Sequence, residues 1–312
     1  MLAISKLKKP IFILAPMYDV TDTVFRQIIA DLAPPDLFFT EFVNVDGLQS
    51  KGRQEIISYL DFSPKEKPII AQVWGLQPEN YFKTVKELSA MGFAGIDINM
   101  GCPAKPVVKN GACVALINNR DLAKEIIQAT KEGLGEGMSL SVKTRLGFND
   151  IDYTWHEFLL GQDLDMLIVH GRTKKEMSKV PANWEAISEV RKLRDKMSTD
   201  TLIIGNGDVM SRVQGNELVN KYELDGVMIG RGIFSDPYIF SESSPWENLS
   251  PEEKIKLFKK HIQLFEETWK GTKPTQLLNK FCKVYINNFP RAKEMREKLM
   301  NANSTQELLK ML

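Results

Sequence analysis

The chain has 312 residues, of which 43% are hydrophobic and 26% charged, with a formal net charge of +1. That balance excludes a disordered chain and suits one large domain plus a small one, or two ordinary domains. The first apolar run, IFILAPM (11–17), is too short to cross a bilayer, and no cleavage pattern follows the lysines before it, so neither an anchor nor a signal peptide is expected.

In chain order, eight β-type runs recur through the first three quarters. They are IFILAPM (11–17), LFFTEFV (37–43), IIAQVWG (69–75), GIDINMG (95–101), LSVKTRL (140–146), MLIVHGR (166–172), LIIGNGD (202–208) and GVMIGRG (226–232). Helix-like segments such as 78–92 and 120–135 lie between them. Near-continuous apolar strands alternating with helices predict an α/β fold, a closed (β/α)8 TIM barrel. A doubly wound open sheet is disfavoured, because GNGDVM (205–210) and GRGIFS (230–235) both lack the third glycine of a dinucleotide fingerprint. In a barrel, functional groups gather at the C-terminal strand ends. Those ends carry Pro16, Met17, Glu41, Gln72, Asn99, Lys143, Arg145, His170, Arg172, Asn206 and Arg231.

After about residue 240 the pattern changes. SSPWENLSPEEK (243–254) reads as a linker and a capped helix start, with Ser250 as N-cap and Glu253 three residues on. Segments 257–270, 275–289, 290–302 and 306–312 read as helices of a small bundle. The expected division is a barrel domain, 1–240, and a helical domain, 241–312. Residues 250–312 hold thirteen Lys/Arg against seven Glu, or +6, and the rest of the chain holds 28 basic and 33 acidic residues, or −5. A polyanion would be met mainly at the C-terminal end.

DINMGCP (97–103) displays Cys102 between a glycine and a proline. Pro103 biases the residue before it towards extended backbone, so the thiol is expected on a stiff turn. Cys102, Cys113 and Cys282 are an odd number without metal-ligand spacing; no metal site is expected, and a reducing cytoplasm is. Lys143 stands among apolar and small neighbours, where a cation must meet an anion or an electron-rich ring. His170 adds a donor at the next strand end. The glycine pairs Gly205 with Gly207 and Gly230 with Gly232, beside Arg231, occupy the two strand ends where a barrel takes a phosphate. A phosphate site, a lysine under a ring and a thiol across from it describe a flavin mononucleotide (FMN) site with a proton donor.

APMYDVTD (15–22), TEFV (40–43), DINMGCP (97–103), VKNGA (108–112), VKTR (142–145), HGRT (170–173), GNGD (205–208) and IGRG (229–232) occur in this order. Together they resemble the tRNA-dihydrouridine synthases, across nearly the whole barrel and more weakly into the tail. The resemblance implies an enzyme with bound FMN that uses NADPH to reduce uridines of the tRNA D-loop to 5,6-dihydrouridine. It implies Cys102 as proton donor and Pro16, Met17, Gln72, Lys143, His170, Asn206, Gly207, Asp208, Gly230 and Arg231 as flavin contacts. It places Asn99 beneath the target base and Glu41, Lys105, Arg145 and Arg172 among the RNA contacts, with Lys280 and Arg291 added from the basic tail. A monomer without membrane contact is the default expectation.

The chemistry agrees with that role. Reducing the uracil double bond needs a hydride at one carbon and a proton at its neighbour from the opposite face. A thiol with the ordinary pKa of about 8.5 is mostly protonated at pH 7 and suits the acid role. The uridine must unstack from folded tRNA, which contacts elsewhere on the RNA must offset. Tyr285 and Phe289 could stack on bases but are expected in the bundle core. Tyr18 and Asp19 stand where many family members have a small residue and glycine. Cys113 also replaces a usual glycine; it reads as a loop filler, able to compete with Cys102 as donor or pair with it on oxidation. Two other readings remain. One is an FMN barrel reductase acting on a free pyrimidine, similar to the dihydroorotate dehydrogenases. The other is a tRNA-binding protein without activity.

Overall fold

Nine short strands join edge to edge in one all-parallel sheet that closes on itself. The computed structural model describes residues 4–312. The strands are β1 (Ile11–Leu14), β2 (Phe38–Phe39), β3 (Val43–Asn44), β4 (Ile69–Trp74), β5 (Gly95–Met100), β6 (Ser139–Arg145), β7 (Met166–His170), β8 (Leu202–Asn206) and β9 (Gly226–Ile229). Each pairs with its sequence neighbour from β4 to β9, β9 returns to β1, and an Ile13–Leu37 bridge completes the ring. Strands β2 and β3 both pair with β4 and form one stave of an eight-stave barrel.

That stave differs from the unbroken strand expected at 37–43. Thr40 N still donates to Ile70 O at 2.9 Å, but Gln72 N donates to the Thr40 hydroxyl at 3.1 Å. A side-chain oxygen here takes the acceptor role of a backbone carbonyl, and Thr40 in turn donates to Glu41 O at 2.9 Å. The chain leaves the ladder at Thr40–Phe42 and rejoins it at Val43, with the Glu41 side chain buried at the break.

Two-residue alternation sorts the strand side chains. Ile11, Ile13, Phe39, Ile70, Met166, Ile168, Ile204 and Met228 plug the barrel interior. Val73, Ile96, Ile98, Val142, Val169, Ile203 and Val227 belong to the larger core shared with the surrounding helices. Towards the C-terminal strand ends, Gln72, Asp97, Asn99, Ser141 and Asn206 are also buried, so a polar layer joins the apolar plug.

Ser250 starts the long tail helix Pro251–Trp269 as a capping box: Glu253 N donates to the Ser250 hydroxyl at 3.2 Å, and Ser250 N to the Glu253 carboxylate at 2.7 Å. The tail docks on the helix Thr23–Leu32. Phe281 stacks on Phe25 with centroids 4.9 Å apart, Trp269 Nε1 donates to Asp22 at 3.0 Å, and Lys260 pairs with Asp31 at 2.7 Å. The helix expected at 275–289 divides into a tight turn, Thr275–Leu278, and a helix, Asn279–Tyr285. Left-handed Asn288 and Arg291 flank Pro290, so the next helix starts only at Ala292. Tyr285 is fully buried and stacks on Phe258 at 5.0 Å, as a core residue. No helix among the described residues is long and apolar enough to cross a membrane.

Candidate active site

The thiol turn is held by a chain of side-chain amides and carboxyls. Asn99 Oδ1 accepts from the backbone of Gly101 at 3.1 Å and of Cys102 at 2.9 Å. Its Nδ2 donates to Gln72 Oε1 at 2.9 Å, Gln72 Nε2 donates to Asp97 at 2.7 Å, and Ser141 donates to the other Asp97 oxygen at 2.6 Å. Burial raises the Asp97 carboxyl to a pKa of about 7, against hydrogen bonds from Ser141 and Gln72 that pull it down. Sequence reading assigned no role to Asp97 or Ser141, although Asp97 precedes Asn99 by two residues and so shares its face of β5.

Arg145, expected among the RNA contacts, braces the rim. Nearly buried, it donates to Gly101 O at 2.9 Å, Thr173 O at 3.1 Å and Met177 O at 3.2 Å, tying the thiol turn to the loop after β7. Arg172 is likewise buried: it donates to Val180 O at 2.5 Å, to His170 Nε2 at 3.2 Å and to Asp208. A guanidinium only donates, so His170 Nε2 is the acceptor and Nδ1 carries the ring proton. Burial, reinforced by Lys143, Arg145, Arg172 and Arg231, pushes the His170 pKa far below the usual imidazole range. The imidazole is therefore neutral, with Nδ1–H as its donor.

A cavity of about 490 Å³ opens at the ends of β1, β6, β7, β8 and β9. Its wall includes Pro16, Met17, Lys143, His170, Asn206, Gly207, Asp208, Gly230 and Arg231. Lys143 Nζ donates to Asn206 Oδ1 at 3.1 Å, and Asn206 Nδ2 to Met228 O at 2.8 Å, which fixes the lysine against the β8 end. Burial, followed by the Arg145 charge, lowers the Lys143 pKa to about 8, so the ammonium predominates at pH 7. Asp208 accepts from Arg172 and, at 3.2 Å, from Arg231, so two guanidinium groups outweigh one carboxylate there.

The cavity size and wall fit a flavin nucleotide: cationic groups for a phosphate, a lysine for an electron-rich ring, and backbone without side chains where the ligand must come close. A Cβ on Gly230 would stand 3.7 Å from Ala15 Cβ and 3.9 Å from Met17 Sδ, in the crevice itself. Gly207 adopts φ +129°, a backbone conformation open to glycine. Gly205 has a different reason to be small, since any Cβ there would collide with the Trp184 ring. Gln72 is not on this wall; its side chain lies wholly between Asp97 and Asn99.

Cys102 is partly buried at the end of β5. The neighbouring Cys113 thiol, then the Ala104 amide and the charges of Arg145 and Lys143, outweigh desolvation and lower its pKa to about 6. The thiol is therefore held below the ordinary value assumed from sequence. Cys113 is buried and keeps its proton, its own pKa raised by burial and by Cys102.

Met17 is positioned by APMYDVTD itself: Met17 N donates to the Thr21 hydroxyl at 2.8 Å, and Asp22 caps the following helix through Phe25 N at 2.9 Å. Glu41 accepts from Asp19 N at 2.5 Å, while its other oxygen has no partner; burial, with Asp22 nearby, raises its pKa to about 7. Lys280 reaches back from the tail to Asp19 O, so its ammonium joins tail to rim. Lys105 is exposed beyond the thiol turn, and Arg291 is exposed and pairs with Glu294 at 3.0 Å.

Residues 13–312 match the family model described as Dihydrouridine synthase (Dus). A "Probable tRNA-dihydrouridine synthase" of Staphylococcus aureus (strain COL) is 45% identical over 307 residues, covering 97% of this chain and 92% of the relative. "Probable tRNA-dihydrouridine synthase 2" of Bacillus subtilis (strain 168) is 44% identical over 312 residues, covering 98% and 94%. Among solved structures, morphinone reductase in complex with tetrahydroNAD superposes with a TM-score of 0.51 at 12% identity, covering 75% of this chain and 88% of that one. Histamine dehydrogenase from Rhizobium sp. 4-9 gives 0.57 at 12% identity, covering 81% and 48%. At that identity the likeness establishes the barrel fold alone.

Proposed function

The chain belongs to the dihydrouridine synthase family, and from that premise we propose that it reduces uridines of the tRNA D-loop to 5,6-dihydrouridine, in the cytoplasm, with FMN bound in the 490 Å³ cavity. A bound FMN would supply the hydride, taken from NADPH. Lys143 holds positive charge where negative charge accumulates on a reduced ring, and the Nδ1–H of His170 offers a neutral donor beside it. Arg231 and the open backbone at Gly207 and Gly230 receive the phosphate. In this reading Arg145, Gln72 and Asn99 position other groups, Arg172 adds a second guanidinium to the cavity wall, and the RNA contacts fall to exposed groups such as Lys105 and Arg291.

Cys102 delivers the proton to the uracil carbon next to the one that accepts hydride. The thiolate left behind is stabilised by the Cys113 S–H and by Lys143 and Arg145. An anionic ligand beside Lys143 and Arg145 would weaken the two smallest of the influences that lower the thiol pKa, and so favours the protonated form needed at the start. The observation that carries the reading is this cysteine, on a braced turn and under the influence of the lysine that lines the cavity.

The test uses the purified, flavin-loaded protein, NADPH and tRNA from a strain lacking dihydrouridine synthases, with nucleosides read by mass spectrometry. Dihydrouridine at D-loop positions is expected from the wild type, with a loss of at least about 100-fold in Cys102→Ala, the scale of general acid catalysis. Reduction of a free pyrimidine with none in tRNA, or a colourless protein that only binds tRNA, would sink the reading.

A further inference from the structure

A second cavity, of about 510 Å³, lies where the barrel rim meets the C-terminal helices. Met17 lines the first cavity, and the next two residues, Tyr18 and Asp19, line this one. Tyr18 leans on Phe42 and Tyr59, with centroids 5.7 and 5.2 Å apart, and its hydroxyl meets that of Tyr59 at 2.9 Å. The ring is thus held from one side, its polar end satisfied, and it remains 52% exposed. Across the cavity Trp269 is anchored to Asp22, and Lys273 Nζ sits 3.7 Å from the Trp269 centroid and 5.1 Å from that of Tyr59.

A rigid exposed ring next to a cation on aromatic faces is the arrangement with which proteins hold unpaired bases. The remaining lining chooses between base and phosphate. Asp19 and Glu55 bring two carboxylates against the single ammonium of Lys273, which repels a phosphate from the interior and offers acceptors for N–H groups.

We infer that this cavity takes one unpaired nucleobase with an exocyclic amino group, from the same tRNA that presents its uridine to the first cavity. The inference rests on the tRNA reading proposed above. Tyr18 stacks on the base, Asp19 and Glu55 accept from its amino group, and Lys273 meets the adjoining phosphate at the mouth. The adjacency of Met17 and Tyr18 then sets the spacing between the captured base and the reacting uridine, so this site selects which uridine is presented.

The experiment places 2-aminopurine, a fluorescent base with an exocyclic amine, at each unpaired D-loop position of a tRNA transcript in turn. Wild-type, flavin-loaded enzyme should quench one position. Tyr18→Ala should lose that quenching and weaken tRNA binding about tenfold, as expected for one lost stacking contact. Tyr18→Phe, which keeps the ring, should stay within about twofold of wild type, and Lys273→Gln should weaken binding several-fold without moving the quenched position. Quenching at no position, or Tyr18→Ala binding as tightly as wild type, overturns the inference. Dihydrouridine is measured in the same reactions. Product formed without quenching sinks the base site alone, whereas quenching lost in Tyr18→Ala with no product from wild type supports the base site and sinks the proposed activity.

Discussion

Asp19 and Cys113, expected from sequence to stand where glycine is usual, both occupy left-handed backbone, at φ 57° and 52°. Sequence could mark the replacements but not the conformation behind them. A non-glycine residue there costs about 1 kcal/mol, and in the case of Cys113 it brings a second thiol against the first. Cys113→Gly should relieve that strain while giving up a small buried side chain, so little net stability changes. The Cys102 pKa should instead rise from about 6 towards the ordinary thiol value, because its largest lowering influence is gone. The pH dependence of Cys102 alkylation in ligand-free protein reads this directly, and a midpoint that stays near 6 contradicts it. Gln72 shows the reverse situation: legible as a strand-end polar group, it binds Asp97 and Asn99 and not the cavity. Gln72→Leu strands two buried polar groups and should cost at least about 2 kcal/mol in denaturant unfolding; a change under about 0.5 kcal/mol would show that the network relaxes.

At the level of elements, local signals were read well where the chain supplies its own partner. The Ser250–Glu253 capping box is contained within four residues, and it forms. Where the decisive partner is remote, the expected element broke: β2 and β3 separate because the Thr40 hydroxyl meets Gln72 N, thirty-two residues away. The seam between barrel and tail is remote in the same sense, with Phe281 of the helix Asn279–Tyr285 stacked on Phe25 of the helix Thr23–Leu32. Phe281→Ala should cost about 3–5 kcal/mol, concentrated in the tail. Limited proteolysis should then cut between residues 241 and 250 before the barrel is attacked; simultaneous loss of barrel and tail would instead mean that the two unfold as one unit.

For the whole molecule, all three histidines are held neutral, two of them fully buried and His170 partly. Burial holds His156 at about 4, His261 at about 3 and His170 lower still. Below about pH 6.5 the unfolded chain binds three protons that the native state refuses, so these groups remove stability as pH falls. Glu41 and Asp97, raised to about 7, act in the opposite direction, since the native state binds two protons that the unfolded chain does not take until nearer pH 4. Near pH 5, where the unfolded histidines and the native Cys102 are almost fully protonated, three against two leaves about one proton, and the ligand-free protein should lose about 1.4 kcal/mol per pH unit there. Chemical denaturation at stepped pH measures the slope. Stability that rises on acidification would mean that the two carboxyls dominate.

By itself the sequence determined the barrel, the capped helical tail, the family and the thiol turn, because strand alternation, caps and DINMGCP are patterns read within a few residues. Only the tertiary structure decided how the polar strand ends divide their work. Lys143, His170, Arg172, Asn206 and Arg231 reach the cavity, whereas Gln72, Asn99 and Arg145 hold backbone and each other. It also brings Cys113, Arg145 and Lys143 to Cys102, which pulls the thiol pKa down. Both depend on strand register and barrel closure, which bring together groups far apart in the chain, and such distances leave no trace in local spacing.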